Sequence, residues 1–280
     1  MKLKQIIKES NKRLKILNIE DSSIKVRLLI EYVFKIPKEQ IILNEEKELE
    51  ENKLTQFYNL LEKIENGMPI QYITNKQEFM GLNFYVDENV LIPQPDTEIL
   101  VEEVIKYIRK HRENKLRILD LCTGSGIIAI SIAKYLKNVE IYASDISEKA
   151  LDVAKRNAKS HNVNIKFICS DMFKNIKEKE FDIIVSNPPY IESNVINTLS
   201  KEVQKEPKLA LDGGEDGLKF YETIIKNARN YIKQSGSIFL EIGYNQKEKI
   251  KEIFNSYKYY SKIKCVKDLA GNDRVIIIDN

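Results

Sequence analysis

This 280-residue chain has no tryptophan, and cysteine, histidine and long apolar runs are scarce in it. Its three cysteines, Cys122, Cys169 and Cys265, are odd in number, widely spaced and never in a CxxC pair. That argues against both a disulfide framework and a zinc site. There are two histidines, His111 in a charged stretch and His161 at an expected helix end. Both read as surface or capping residues rather than bases, and no HExxH motif occurs. No stretch reaches the ~18 consecutive apolar residues of a membrane span. The opening "MKLKQIIKESNKRLK" lacks the continuous apolar core of a signal peptide, so the expected location is cytoplasmic. A net charge of +3 is too small to indicate a nucleic-acid partner.

What is present divides into two periodicities. Residues 1–75 repeat aliphatics at three- and four-residue spacing in "LKQIIKESNKRLKIL", "SSIKVRLLIEYVF" and "LTQFYNLLEKIENG". Pro37 breaks the second helix, and Gly67 with Pro69 closes the third. A small helical bundle is predicted. Across 76–96 the period shortens around Gly81, predicting a β-hairpin linker with Phe79, Leu82, Phe84 and Val86. From 97 to 280 strand-like and helical runs alternate. Ile and Val fall on both strand faces, so the fold class is α/β with a mostly parallel sheet covered on both sides.

In such sheets ligands sit beyond the carboxyl ends of the strands. The first strand ends "DLCTGSG", which singles out Asp120, Cys122, Thr123, Gly124, Ser125 and Gly126. The second ends at Asp145 and Ile146, where an acid commonly accepts ribose hydroxyls. The third ends at Asp171 beside Met172. Each feature alone also fits a turn or a cap. The loop is neither GxGxxG nor GxxxxGK[ST], so a pyrophosphate is poorly served. Three acids in consecutive units favour S-adenosylmethionine, with S-adenosylhomocysteine as product.

The fourth strand ends "SNPPY". Asn187 is followed by Pro188 and Pro189, which have fixed φ and no N–H, and then by Tyr190. An asparagine carbonyl beside a rigid proline carbonyl offers two acceptors to a planar –NH₂ group. Holding both hydrogens aims the nitrogen lone pair at a methyl donor and stabilises the charge developing on nitrogen. Tyr190 is expected to stack on the planar group. Cys122, with no histidine near it in sequence, reads as packing rather than as a nucleophile.

These residues resemble the glutamine N5-methyltransferases that modify peptide chain release factors, the PrmC/HemK group. The likeness runs through "GMPIQYITNKQEFMGLNFYVDENVLIPQPDTE" (67–98), "LDLCTGSG", "ASDIS", "NPPY", "EPKLALDGGEDGLKFY" (206–221) and "KDLAGNDRVIIID" (267–279). It implies a Rossmann-like methyltransferase sheet, a glutamine of a Gly-Gly-Gln loop held by residues 187–190, and cofactor contacts from residues 122–126, Asp145, Met172 and Asn187. It implies release factor binding by residues 1–75; a stability cap is also compatible with the sequence. The family commonly has arginine where this chain has Gln94, glutamate at Asp96, and in some members an aromatic at Met172. "GGEDG" (213–217) suggests only a loop-shaping role. Two other readings compete: an N6-adenine methyltransferase acting on nucleic acid, because such enzymes share NPPY, and a fold that binds cofactor without catalysis. The first is weakened by the lack of a strongly basic face. No direct nucleic-acid substrate and no membrane partner are expected.

Overall fold

The structure is a computed structural model describing residues 1–110 and 115–279. His111, read above as a surface residue, lies outside the described residues. The chain divides into two units, Met1–Lys76 with Ser200–Lys205 and Gln77–Leu199 with Glu206–Asn280.

The first unit is helical. Helices α1 (Leu3–Ile16), α2 (Ser22–Phe34) and α3 (Glu51–Glu65) follow the aliphatic spacing, and a short α4 (Ile70–Thr74) starts after Pro69. Their apolar stripes meet in a core that includes Leu3, Ile6, Leu14, Leu29, Phe57 and Leu61. The segment 200–205 belongs to this unit because Glu202 pairs with the buried Lys25 at 2.6 Å. Lys25 also donates to the Glu20 carbonyl at 2.8 Å. A buried ammonium needs such partners, since leaving it unpaired would cost several kcal/mol.

The second unit opens with the hairpin β1 (Gln77–Phe79) and β2 (Leu82–Phe84). Its two-residue turn takes positive φ at both Met80 (51°) and Gly81 (67°), the geometry that matches strand twist. Phe79 and Phe84 are buried in the sheet's core. The main sheet contains β3 (Leu116–Leu121), β4 (Val139–Asp145), β5 (Lys166–Cys169), β6 (Phe181–Ser186), β7 (Ile232–Glu241), β8 (Lys262–Lys267) and β9 (Asp273–Asp279). They lie in the order β5-β4-β3-β6-β7-β9-β8. Five are parallel, and β9 pairs antiparallel with both β7 and β8. This is a Rossmann-like sheet.

Alternation along each strand builds two apolar layers. Ile118, Ile183, Val185 and Phe239 face α5 (Thr97–Lys110), α6 (Ile127–Tyr135) and part of α7 (Glu148–His161). Their neighbours Leu119, Leu121, Ile184 and Leu240 face α9 (Lys219–Asn227) and α10 (Lys247–Asn255), which follow the one-turn α8 (Lys208–Leu211). His161 ends α7, with its ring 5.0 Å from Phe84 and Nε2 2.8 Å from the Asn83 carbonyl. It is a packing residue. No helix among the described residues is long and apolar enough to cross a membrane.

The structure departs from the sequence reading near the sheet's antiparallel edge. The spacing of "LKFYETIIKNARNYI" predicts a helix through Ile232, but the helix stops at Asn227 and Ile232 opens β7. Pairing then jumps from Phe181↔Ile232 to Ile183↔Ser237, so the polar "KQSG" bulges out of register and hides the strand's start. Strand β8 reads "KIKCVK", whose alternating lysines suit an exposed edge but mask the apolar signal.

Candidate active site

The strand order reverses between β3 and β6, because the chain steps outward through β4 and β5 before returning to the other side of β3. Loops beyond these four strands enclose a cavity of about 670 Å³, a normal size for a small-molecule site. Cys122, Gly124, Asp145, Ile146, Asp171, Met172, Asn187 and Pro189 line it. Four sequence positions far apart therefore converge at one sheet edge.

Asp145 organises the wall. Its Oδ2 accepts the Gly124 N–H at 2.9 Å, and its Oδ1 accepts the Ser147 N–H at 2.9 Å. Each oxygen keeps a lone pair for a ligand hydroxyl. Burial raises its pKa, while the backbone donors at Ser147 and Gly124 oppose that shift. Gly124 takes φ 54°, and a Cβ built there would meet nothing within 4 Å. The loop thus leaves open space where a ligand could approach the backbone. Gly126 does a different job at φ 83°: a Cβ there would come within 2.9 Å of Ile130 and 3.1 Å of Ala154. It lets α6 start tight against α7.

Asp120, Thr123 and Ser125 are buried and do not line the cavity. Asp120 Oδ2 accepts the Thr123 hydroxyl at 2.6 Å and the Ala129 N–H at 3.3 Å, while Oδ1 has no partner among the described residues. Burial pushes its carboxyl up to about 7. The Ser125 carbonyl accepts from Asn157 at 2.9 Å, and Asn157 also bonds both the N–H and the carbonyl of Tyr85. One buried asparagine thereby joins the glycine loop to the segment after the hairpin. Cys122 (φ 59°) and Met172 (φ 50°) place their sulfurs 3.8 Å apart. Burial, followed by the nearby Asp145 charge, pushes the Cys122 thiol far above its usual range, so no thiolate nucleophile forms there. Asp171 pairs with Lys174 at 2.5 Å.

Beyond β6, Asn187 donates from Nδ2 to the Thr97 hydroxyl oxygen at 3.1 Å. Pro188 and Pro189 are buried. Tyr190 is half-buried and does not line the cavity; its ring packs with the cluster around Tyr221. Its carbonyl accepts from Gln246 Nε2 at 2.9 Å. "GGEDG" gains a physical account here. The Gly213 N–H donates to the Ile191 carbonyl at 2.8 Å, and Gln246 also donates to the Gly217 carbonyl at 3.2 Å. A Cβ on Gly217 (φ 73°) would lie 2.4 Å from the Tyr190 carbonyl oxygen, and one on Gly213 would lie 2.7 Å from the Tyr190 Cα. These glycines let a second loop press directly on the backbone that leaves "NPPY". Gln94 is exposed and its side chain donates to the Ile92 carbonyl at 3.0 Å, whereas Asp96 pairs with Arg274 at 3.0 Å.

Sequence reasoning missed several wall residues, among them Val90, Leu91, Leu209, Phe220 and Thr223. They carry no chemistry that spacing could reveal. The wall as a whole suits an adenosine with an amino-acid tail: Asp145 for a ribose diol, Ile146, Met172 and Phe173 for an apolar base, and an open glycine backbone. No cluster of His, Cys, Asp and Glu able to hold a metal ion occurs among the described residues.

Comparison with known proteins agrees with this geometry. Residues 95–266 match a family model described as methyltransferase small domain, and residues 5–74 match one described as PrmC N-terminal domain. The release factor glutamine methyltransferase of Clostridium botulinum is 44% identical over 281 residues, spanning 99% of this chain and 98% of that protein. The protein of the same description from Clostridium acetobutylicum is 42% identical, spanning 99% and 95%. Among solved structures, a Thermus thermophilus 16S rRNA N2 G1207 methyltransferase, in complex with AdoMet and guanosine, shares the fold at TM-score 0.53 and 15% identity. That match covers 73% of this chain and 49% of the other.

Proposed function

The chain belongs to the release factor glutamine methyltransferases, and we propose on that premise how its own residues methylate the side-chain amide nitrogen of the glutamine in a release factor's Gly-Gly-Gln loop. The observation carrying this reading is the convergence of Asn187 and the Asp145 wall on one cavity. S-adenosylmethionine supplies an electrophilic methyl group on a sulfonium and leaves as S-adenosylhomocysteine.

Asp145 would hold the ribose diol, the Gly124 backbone would take the amino-acid tail, and Ile146 and Met172 would enclose the adenine. The side-chain oxygen of Asn187 and the carbonyl of Pro188 accept the two amide hydrogens. An amide nitrogen is a poor nucleophile because its lone pair is delocalised into the carbonyl. Two acceptors favour pyramidal nitrogen and stabilise the positive charge that builds as the N–C bond forms and the S–C bond breaks. Removing one such preorganised group costs roughly 10²–10³ in rate. Once it carries the methyl group the nitrogen is strongly acidic and loses one hydrogen as a proton to water, so a strong base is unnecessary. No histidine lines the cavity among the described residues.

The helical unit, residues 1–75 in this reading, binds the release factor so that only its loop enters the cavity. The protein acts in the cytoplasm, without membrane or nucleic acid as substrate. Incubation with methyl-labelled S-adenosylmethionine, a bacterial-type release factor and duplex DNA tests the proposal. Label on the release factor alone supports it. Label on DNA alone would give the site to nucleobase amines instead.

A further inference from the structure

We infer that Thr97 and Glu241 form a buried positioning pair that fixes which way the Asn187 amide points. The inference rests on the reading that Asn187 holds the acceptor amide.

An asparagine side chain presents an oxygen on one side and an –NH₂ on the other, and its shape alone does not decide between the two orientations. Only the oxygen can receive a glutamine –NH₂; the flipped amide would set donor against donor. Here Nδ2 of Asn187 donates to Thr97 Oγ1 at 3.1 Å. Thr97 opens α5 and is 1% exposed, while Glu241 ends β7 and is 2% exposed. The side chains of Thr97 and Asn187 both stabilise the charged form of the Glu241 carboxylate. A hydroxyl has one hydrogen to give. A carboxylate can only accept, so Thr97 donates to Glu241 and turns its lone pairs toward Asn187. Asn187 must then present –NH₂ to Thr97 and its oxygen on the opposite side. The charge on Glu241 therefore sets the polarity of the group proposed to meet the substrate.

Structural bookkeeping alone does not explain this carboxylate. Its Oε2 has no hydrogen-bond partner among the described residues, an expensive arrangement for a buried charge. The nearby Arg274 directs Nη2 to Asp96 at 3.0 Å and Asp268 at 3.1 Å. The titratable and charged groups facing Glu241 are Asp96 before α5, Arg274 on β9, Tyr190 after β6 and Tyr221 on α9. Burial, the largest influence, pushes Glu241 up to about 7.

The test measures kcat, release factor KM and cofactor affinity for Thr97→Val, Thr97→Ser, Glu241→Gln and Asn187→Ala. Thr97→Val keeps the shape but not the hydroxyl. It should lower kcat by about a hundredfold, the scale of a misplaced reacting group, with cofactor affinity little changed. Thr97→Ser should restore most of that loss. At saturating cofactor, wild-type kcat should rise as pH passes through about 7, and Glu241→Gln should flatten that limb. The glutamine variant also tests the pair if Thr97→Val fails to fold. Wild-type kcat in Thr97→Val beside an inactive Asn187→Ala overturns the pair alone. Failure of serine to rescue a folded valine variant does the same, as does an unaltered pH limb in Glu241→Gln. An active Asn187→Ala overturns the underlying reading instead.

Discussion

Replacing Asp120 with asparagine should help the protein at pH 8 far more than at pH 5. Asp120 is fully buried, with one oxygen bonded to Thr123 and Ala129 and the other without a partner among the described residues. Burial holds its carboxyl at about 7 in the folded chain, against 3.8 for the free group. The folded state thus binds the proton more tightly than the unfolded one. Its stabilisation is complete below the unfolded value and is lost as pH rises through the folded value. At 1.36 kcal/mol per unit the total is about 4 kcal/mol, of which about 2–3 kcal/mol falls between pH 5 and pH 8. Asparagine carries no charge to bury. Its –NH₂ finds no acceptor where Oδ1 now sits, a cost of about 1–3 kcal/mol at either pH. That constant cost cancels when the two pH values are compared, and so does the titration of Glu241, which both proteins share. Unfolding of wild type and variant should be measured at pH 5 and pH 8. The variant should gain about 2–3 kcal/mol on wild type between them, or several degrees in Tm. An identical difference at both pH values would show that Asp120 does not titrate near neutrality.

Three further expectations concern the site. Gly217→Ala should cut methyl transfer more than about tenfold with cofactor binding retained, because its Cβ would displace the Tyr190 carbonyl and the backbone leading from Asn187; unchanged kcat would free the second loop from this role. Asp145→Ala should weaken S-adenosylmethionine about tenfold to a hundredfold by calorimetry, the scale of one lost charged hydrogen bond; unchanged affinity would move the ribose elsewhere. Iodoacetamide at pH 8 should modify the exposed Cys169 well before Cys122, read by peptide mass spectrometry; the reverse order would mean that Cys122 is a reactive thiolate.

The sequence spelled out the parts of this site that lie at strand ends. Leu116–Leu121, Val139–Asp145 and Phe181–Ser186 are dense apolar runs that stop at a polar residue, and the sheet brings those stops to one edge. Asp145 and Asn187 could be singled out for that reason. Residues that position them through tertiary contact leave no such trace. Thr97 meets Asn187 across 90 positions, and Gln246 reaches Tyr190 across 56. Glu241 reads as the polar end of one more strand until its burial is known. "GGEDG" was visible as unusual, yet its reason lies in the Tyr190 backbone it touches. Edge strand β8 was hidden because its solvent-facing lysines dilute the apolar pattern that marks a buried strand.

The central claim is that this chain methylates a glutamine amide through Asn187. Its most direct test is the mass of the release factor peptide carrying Gly-Gly-Gln after incubation with S-adenosylmethionine and either wild type or Asn187→Ala. One added methyl group on the glutamine side-chain nitrogen is expected with wild type and none with the variant. A methyl group on any other atom, or equal methylation by Asn187→Ala, would contradict it.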